Sequence, residues 1–163
     1  MPEMKIKETT LCYIENDKGE YLMLHRNKKK NDENEDKWIG VGGKLEEGET
    51  AEDCVLREVS EETGLHLTDY RYRALIDFTS DLWPRELMHV YTATGYEGTL
   101  KADCNEGELA WIQKPELRKK KLWEGDKLFL ALLDANADFF RLELSYEGER
   151  LVKVVLNDAE VIA

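Results

Sequence analysis

The tightest constraint on how this chain can fold lies between positions 43 and 65, GKLEEGETAEDCVLREVSEETGL. Glu58, Glu61 and Glu62 are spaced i, i+3, i+4, which at about 100° per residue places three carboxylates on one face of a helix. Val55, Leu56 and Val59 supply an apolar side next to the acidic one. Such a helix must lay one side in a core and present the other to a site. Core packing gives no reason for the carboxylates, and like charges at i,i+4 mildly destabilise a helix. A bound cation removes that penalty, and hard carboxylate oxygens suit Mg²⁺ or Mn²⁺.

The flanks define the helix ends. Thr50 is an N-cap with Asp53 three residues on to complete a capping box, and Gly64 is a C′ glycine. Upstream, 38–41 (WIGV) reads as a short strand that delivers Gly42 and Gly43. Paired glycines there permit positive φ and close approach of the backbone to a ligand.

The remaining segments read as strands, a second helix and a hairpin. Positions 5–15 and 21–25 have strand composition around an Asn16–Gly19 turn. Arg26 stands at the end of the returning strand, facing whatever the acidic helix holds. The loop 27–36 is polar, and Lys28, Lys29 and Lys30 are read as solvated more readily than as phosphate guides. Strands are expected at 70–78, 87–94 and 109–112, with 95–107 largely loop. His25, His66 and His89 read as structural residues, and Lys119, Lys120 and Lys121 as a solvated basic run. Positions 124–135 carry leucines and Phe129 at helical spacing, and 139–156 form a closing hairpin. Strands, helix, strands, helix, hairpin suggest one α/β layered domain over 1–163, with a mixed sheet.

Charge and composition exclude some functions. The chain of 163 residues carries a net charge of −12, which argues against stable binding of nucleic acid through a basic surface. A small phosphorylated substrate is still allowed, since a bound metal inverts the local charge. Cys12, Cys54 and Cys104 are odd in number and lack a CxxC spacing, as expected for reduced thiols in the cytoplasm. No signal peptide and no membrane-spanning run are visible. No obligatory protein partner is evident.

Gly43, Glu49, Arg57-Glu58-Val59, Glu61-Glu62, Gly64 and Leu65 fill every defined position of the pattern G-x5-E-x7-R-E-U-x-E-E-x-G-U, with U apolar. The chain therefore resembles the Nudix hydrolases. The resemblance implies an α/β/α sandwich with the pattern as loop–helix–loop, and hydrolysis of a nucleoside diphosphate linked to another group, with Mg²⁺ or Mn²⁺. By the same resemblance Glu58, Glu61 and Glu62 hold metal with the Gly43 carbonyl, Arg57 orients the glutamates, and Glu49 supports the loop. Gly42, Gly43, Lys44 and Arg26 become candidate substrate contacts.

Segments 37–49, 104–112 and 122–129 further resemble MutT-type 8-oxo-dGTP diphosphatases. That likeness makes Glu106 an added metal ligand, sets Trp123 against the base and gives Asp126 the purine edge. Glu106 also has a plainer reading as a loop acid, and Trp123 as core packing. The pattern departs from that group at Gly125, where an acid is expected, and at Ile39, where an asparagine is. The implied reaction turns a purine nucleoside triphosphate into monophosphate and pyrophosphate by water attack on the β-phosphorus. One carboxylate of Glu58, Glu61, Glu62 or Glu106 would be the base. The substrate would be 8-oxo-dGTP or a related oxidised purine nucleotide, removed to clean the nucleotide pool. ADP-ribose, dinucleoside polyphosphates or an RNA 5′ end keep the chemistry and change the substrate. A nucleotide sensor without turnover belongs to another class, and the complete set of glutamates weighs against it.

Overall fold

The computed structural model describes residues 6–28, 33–104 and 106–161. Lys29 and Lys30 of the expected loop lie outside them. Ten strands and three helices follow in the order β1 (Lys7–Ile14), β2 (Glu20–His25), β3 (Trp38–Ile39), α1 (Ala51–Thr63), β4 (Leu65–Ser80), β5 (Glu86–Gly98), β6 (Asp103–Cys104), β7 (Gly107–Gln113), α2 (Lys114–Leu117), α3 (Glu124–Asp134), β8 (Phe140–Glu147), β9 (Arg150–Leu156) and β10 (Ala159–Glu160) among the described residues. A six-stranded sheet runs β1-β5-β4-β8-β9-β10 and a four-stranded sheet runs β3-β2-β7-β6. The larger sheet is mixed: β1 pairs parallel with β5 and β4 parallel with β8, while β4–β5 and β8–β9 are antiparallel.

The two faces of β1 explain the layering. Leu11 and Tyr13 belong to one apolar cluster, with Met23, Phe78 and Phe129, and Cys12 and Ile14 to another, with Leu22, Val55 and Val59. Side chains alternate across a strand, so α1 covers one face and α3 the other. This is the expected α/β/α arrangement. It also explains why β1 is apolar without alternation over its second half.

Helix α1 ends as its sequence requires. Thr50 Oγ1 accepts from the Asp53 amide at 3.1 Å, and Asp53 Oδ2 accepts from the Thr50 amide at 3.3 Å. Gly64 closes the helix at φ 78°. The glycine pair upstream differs from expectation: neither Gly42 nor Gly43 has a positive φ. Crowding fixes them instead. A Cβ on Gly42 would strike the Thr10 carbonyl, and one on Gly43 would strike the Glu58 carboxylate.

Strands β4 and β5 are longer than the sequence suggests. β4 starts directly after Gly64, and β5 reaches Gly98 through the stretch expected to be loop. Conversely β3 stops at Ile39, and Val41 makes only an isolated bridge with Cys12. The histidines are structural as expected. His25 stacks on Trp38 at 4.6 Å, His89 lies 2.7 Å from both Tyr72 Oη and Glu8 Oε1, and His66 lies 3.4 Å from Ser60 Oγ. Cys12, Cys54 and Cys104 are free thiols.

Candidate active site

Arg57 organises the acidic helix. Its Nε donates to Glu49 Oε2 at 2.7 Å and its Nη2 to Glu49 Oε1 at 2.9 Å. The remaining reach of the guanidinium goes to Glu58 (2.7 Å), Glu61 (3.2 Å) and the Lys44 carbonyl (3.2 Å). Glu49 also accepts from the Glu46 amide at 2.9 Å. Arg57, followed by that amide, holds the Glu49 carboxyl down to a pKa of about 2. One arginine thus ties the loop before the helix to the carboxylates on it.

Glu62 lies on the inner side of the cluster. Burial raises its pKa, and the nearby charges of Glu106 and Glu58 raise it further. Its Oε2 is buried and meets no hydrogen-bond donor among the described residues. A buried carboxylate oxygen without a donor, beside two more acids, fits a hard divalent cation. Glu58, Glu62 and Glu106 are therefore the side chains best placed to hold one. No three His, Cys, Asp or Glu side chains among the described residues stand together as a ready coordination shell. The reason is electrostatic: Glu58 and Glu61 turn onto Arg57, and Glu106 accepts from Arg26 Nη1 at 3.0 Å. The Gly43 carbonyl accepts from the Thr10 amide at 2.8 Å, and the Thr10 hydroxyl and the Cys54 thiol reach it at 3.4 and 3.5 Å.

A cavity of about 320 Å³ opens beside this cluster. Gly42, Gly43, Lys44, Arg26, Glu106, Trp123 and Asp126 all line it. Seven of the residues singled out in the sequence therefore meet in one space. Glu58 lies against Gly43, and Glu62 beside Glu106. Glu61 is the outlier, with a side chain 61% exposed. Lys119, Lys120 and Lys121 do not line this cavity.

The surroundings of Asp126 and Trp123 are more polar than the sequence suggests. Asp126 is 6% exposed, and burial, then the Glu86 charge, push its pKa up to about 8. Glu86 is a buried acid that no local sequence pattern marks. It accepts from Thr9 Oγ1 at 2.7 Å, and burial raises its pKa too. Asn34, also unforeseen, accepts from the Trp123 indole N–H at 2.9 Å. Trp123 lines the cavity as expected, but Lys37 Nζ covers its ring at 4.4 Å, and Phe78 and Tyr146 approach in T-shaped geometry. The absence of an acid at Gly125 has a steric cause. A Cβ there would press on Leu144 and Tyr146, and the Gly125 amide donates to Tyr146 Oη at 2.7 Å. Ile39 lines the same cavity and offers no hydrogen bond.

Comparison with known proteins places the chain in a family. A family model described as NUDIX domain matches residues 5–133. The chain is 35% identical over 99 residues to the oxidized purine nucleoside triphosphate hydrolase of Mus musculus, covering 60% of this chain and 62% of that protein. It is 40% identical over 80 residues to the NAD-capped RNA hydrolase NudC of Vibrio parahaemolyticus, covering 47% of this chain and 29% of that one. The matched segment thus spans less than two thirds of either relative. In structure it is similar to the MutT protein of Bacillus halodurans, with a TM-score of 0.81 and 22% identity over 93% of this chain and 98% of that chain. At that identity the likeness concerns the fold alone.

Proposed function

The chain belongs to the Nudix hydrolase family, and from that premise we propose that it acts as one domain over 1–163, hydrolysing purine nucleoside triphosphates to monophosphate and pyrophosphate. The preferred substrate is an oxidised purine nucleotide of the 8-oxo-dGTP type, and the role is cleaning of the nucleotide pool in the cytoplasm. The observation that carries this reading is one cavity lined both by Gly43, Lys44 and Glu106 and by the buried acid Asp126. Its length offers a place for phosphates at Gly43 and Lys44 and for a base edge at Asp126.

The roles follow from position. Mg²⁺ or Mn²⁺ held by Glu58, Glu62 and Glu106, with Glu61 and the Gly43 carbonyl near, would neutralise phosphate oxygens and acidify the attacking water. Arg57 fixes the carboxylates, and Glu49 fixes Arg57. Arg26 and Lys44 meet phosphate oxygens. One carboxylate of the cluster takes the proton of the water attacking the β-phosphorus. Most of the acceleration then comes from positioning and charge, as phosphoanhydride cleavage requires. Asp126 reads the purine edge while Trp123 walls the base.

The test is a substrate panel with Mg²⁺: 8-oxo-dGTP, dGTP, the other dNTPs, ADP-ribose, diadenosine tetraphosphate and an NAD-capped RNA. A clear preference in kcat/KM for 8-oxo-dGTP, with pyrophosphate released and activity lost in Glu62→Gln, supports the assignment. A preference for ADP-ribose or capped RNA keeps the hydrolase and replaces its substrate. The similarity to NudC favours that second reading, and the net charge of −12 weighs against grip on a long RNA. No obligatory protein partner enters the scheme.

A further inference from the structure

A second cleft, of about 270 Å³, lies at the other end of the strands that line the first. β4 contributes Phe78 to the nucleotide cavity and Arg73 to this cleft, and α3 contributes Asp126 to one and Leu133 to the other. Arg73 is the unusual residue. It falls at a register shift between Tyr72 and Ala74, where β4 slips against β5. Such a bulge re-aims a side chain, and here it turns a guanidinium inward, leaving Arg73 6% exposed.

The buried cation is only partly compensated. Arg73 Nη1 donates to Thr92 Oγ1 at 3.1 Å and Nη2 to the Leu133 carbonyl at 3.4 Å. The latter places positive charge at the carbonyl end of α3, which has no basic residue in its last turn. A guanidinium has five N–H donors, so those two bonds leave the fork partly unused. Neither Arg73 nor Arg71 meets a carboxylate at ion-pairing distance among the described residues, and Arg71 reaches only Asn136 Oδ1 at 3.4 Å. Burial and the Arg71 charge lower the Arg73 pKa.

The acids on the rim are engaged elsewhere. Glu15 holds Lys114 at 2.6 Å. Asp134 takes the Tyr21 hydroxyl at 2.9 Å and approaches Lys114 at 3.8 Å. Asp69 takes the Thr94 hydroxyl at 3.4 Å. Two arginines without counter-ions, one of them buried, thus face a cleft that also offers hydroxyls and an amide.

We propose that this cleft is a binding site for a small oxyanion of the phosphate class, held by the guanidinium fork of Arg73 together with Arg71. An anion there supplies the charge that the buried cation lacks, and a forked guanidinium matches phosphate oxygens two at a time. The site stands apart from the nucleotide cavity, so the inference holds whatever the hydrolysed substrate proves to be.

Titration of the whole protein in EDTA, followed through backbone amide resonances, tests it. EDTA keeps cations from the acidic helix. The probes are inorganic phosphate, pyrophosphate and a purine nucleoside monophosphate. The expected result is saturable shifts at Thr92, Leu133 and Asn136, with affinity falling roughly tenfold in Arg71→Gln, as for loss of one charge-assisted contact. Arg73→Gln should abolish the shifts. Arg71 is exposed, so its variant carries the test if the buried one fails to fold. Tightest binding of the inorganic anions identifies a free oxyanion as ligand, and tightest binding of the monophosphate identifies a nucleotide, each with the cleft confirmed. Shifts confined to Gly43 and Lys44, no shifts, or an Arg71→Gln affinity equal to wild type would overturn the proposal.

Discussion

Arg57 on the helix and Glu49 in the loop before it, eight positions apart, form a two-point ion pair, Nε to Oε2 at 2.7 Å and Nη2 to Oε1 at 2.9 Å. The pair fixes the plane of the guanidinium, and that plane decides where Glu58 and Glu61 can go. Arg57→Gln should therefore lower kcat/KM by roughly 10- to 100-fold, the usual range for a residue that orients metal-binding groups. Arg57→Lys should rescue little, because an ammonium cannot make both contacts. Far-UV circular dichroism of both variants should match wild type, and collapse of the spectrum would mean that the pair is needed to fold.

The two adjacent glycines should respond differently to a methyl group. In Gly43→Ala the new atom meets the end of the flexible Glu58 side chain, which can swing aside. The protein should stay folded and lose activity. In Gly42→Ala the atom meets the backbone carbonyl of Thr10, which cannot. A loss of about 1–3 kcal/mol or more is expected, as for overpacking. Parallel measurements of Tm and kcat separate the two, and equal Tm values would show that the strand bridge yields more readily than its geometry implies.

The contrast shows what was legible beforehand. Glu58, Glu61, Glu62, Arg57 and the Thr50 cap lie within fifteen residues and interact through one helix, so periodicity exposes them. Glu86 and Thr9 reach the cavity through the parallel pairing of β1 with β5, which sets Lys7 opposite Glu86. No local pattern encodes that register. The same holds for the extra length of β4, whose added residues 65–69 mix two leucines with polar side chains and whose pairing slips at three places. The expectation that Gly42 and Gly43 serve positive φ failed for a related reason: their crowding comes from Thr10 and from Glu58, neither adjacent in sequence.

Glu62 is expected to trade stability for metal binding. Its carboxylate is buried against Glu106 and Glu58, and its charged form is disfavoured. Glu62→Gln keeps the shape and removes the charge, so the metal-free protein should melt higher than wild type near neutral pH. The same change removes a candidate ligand, and Mn²⁺ affinity read by electron paramagnetic resonance should fall at least roughly tenfold. A lower Tm with unchanged Mn²⁺ affinity would remove Glu62 from the cation site.

Asp126 should make both stability and catalysis depend on pH. Its pKa rises from 3.8 to about 8 on folding, so between those values the folded chain binds the extra proton and stability falls as pH rises. The penalty is absent below about pH 3.8 and complete above about pH 8. Asp126→Asn cannot ionise, so the stability of the variant should gain on wild type between pH 5 and pH 9, by an amount on the order of a few kcal/mol. At neutral pH the native group is mainly protonated and can both donate to and accept from a purine edge. Above about pH 8 it only accepts, and kcat/KM for a base that needs the donated proton should drop while that for a base that needs only an acceptor should not. A flat selectivity between pH 6 and pH 9, with the stability difference intact, would assign Asp126 to the floor of the cavity and take it out of base recognition.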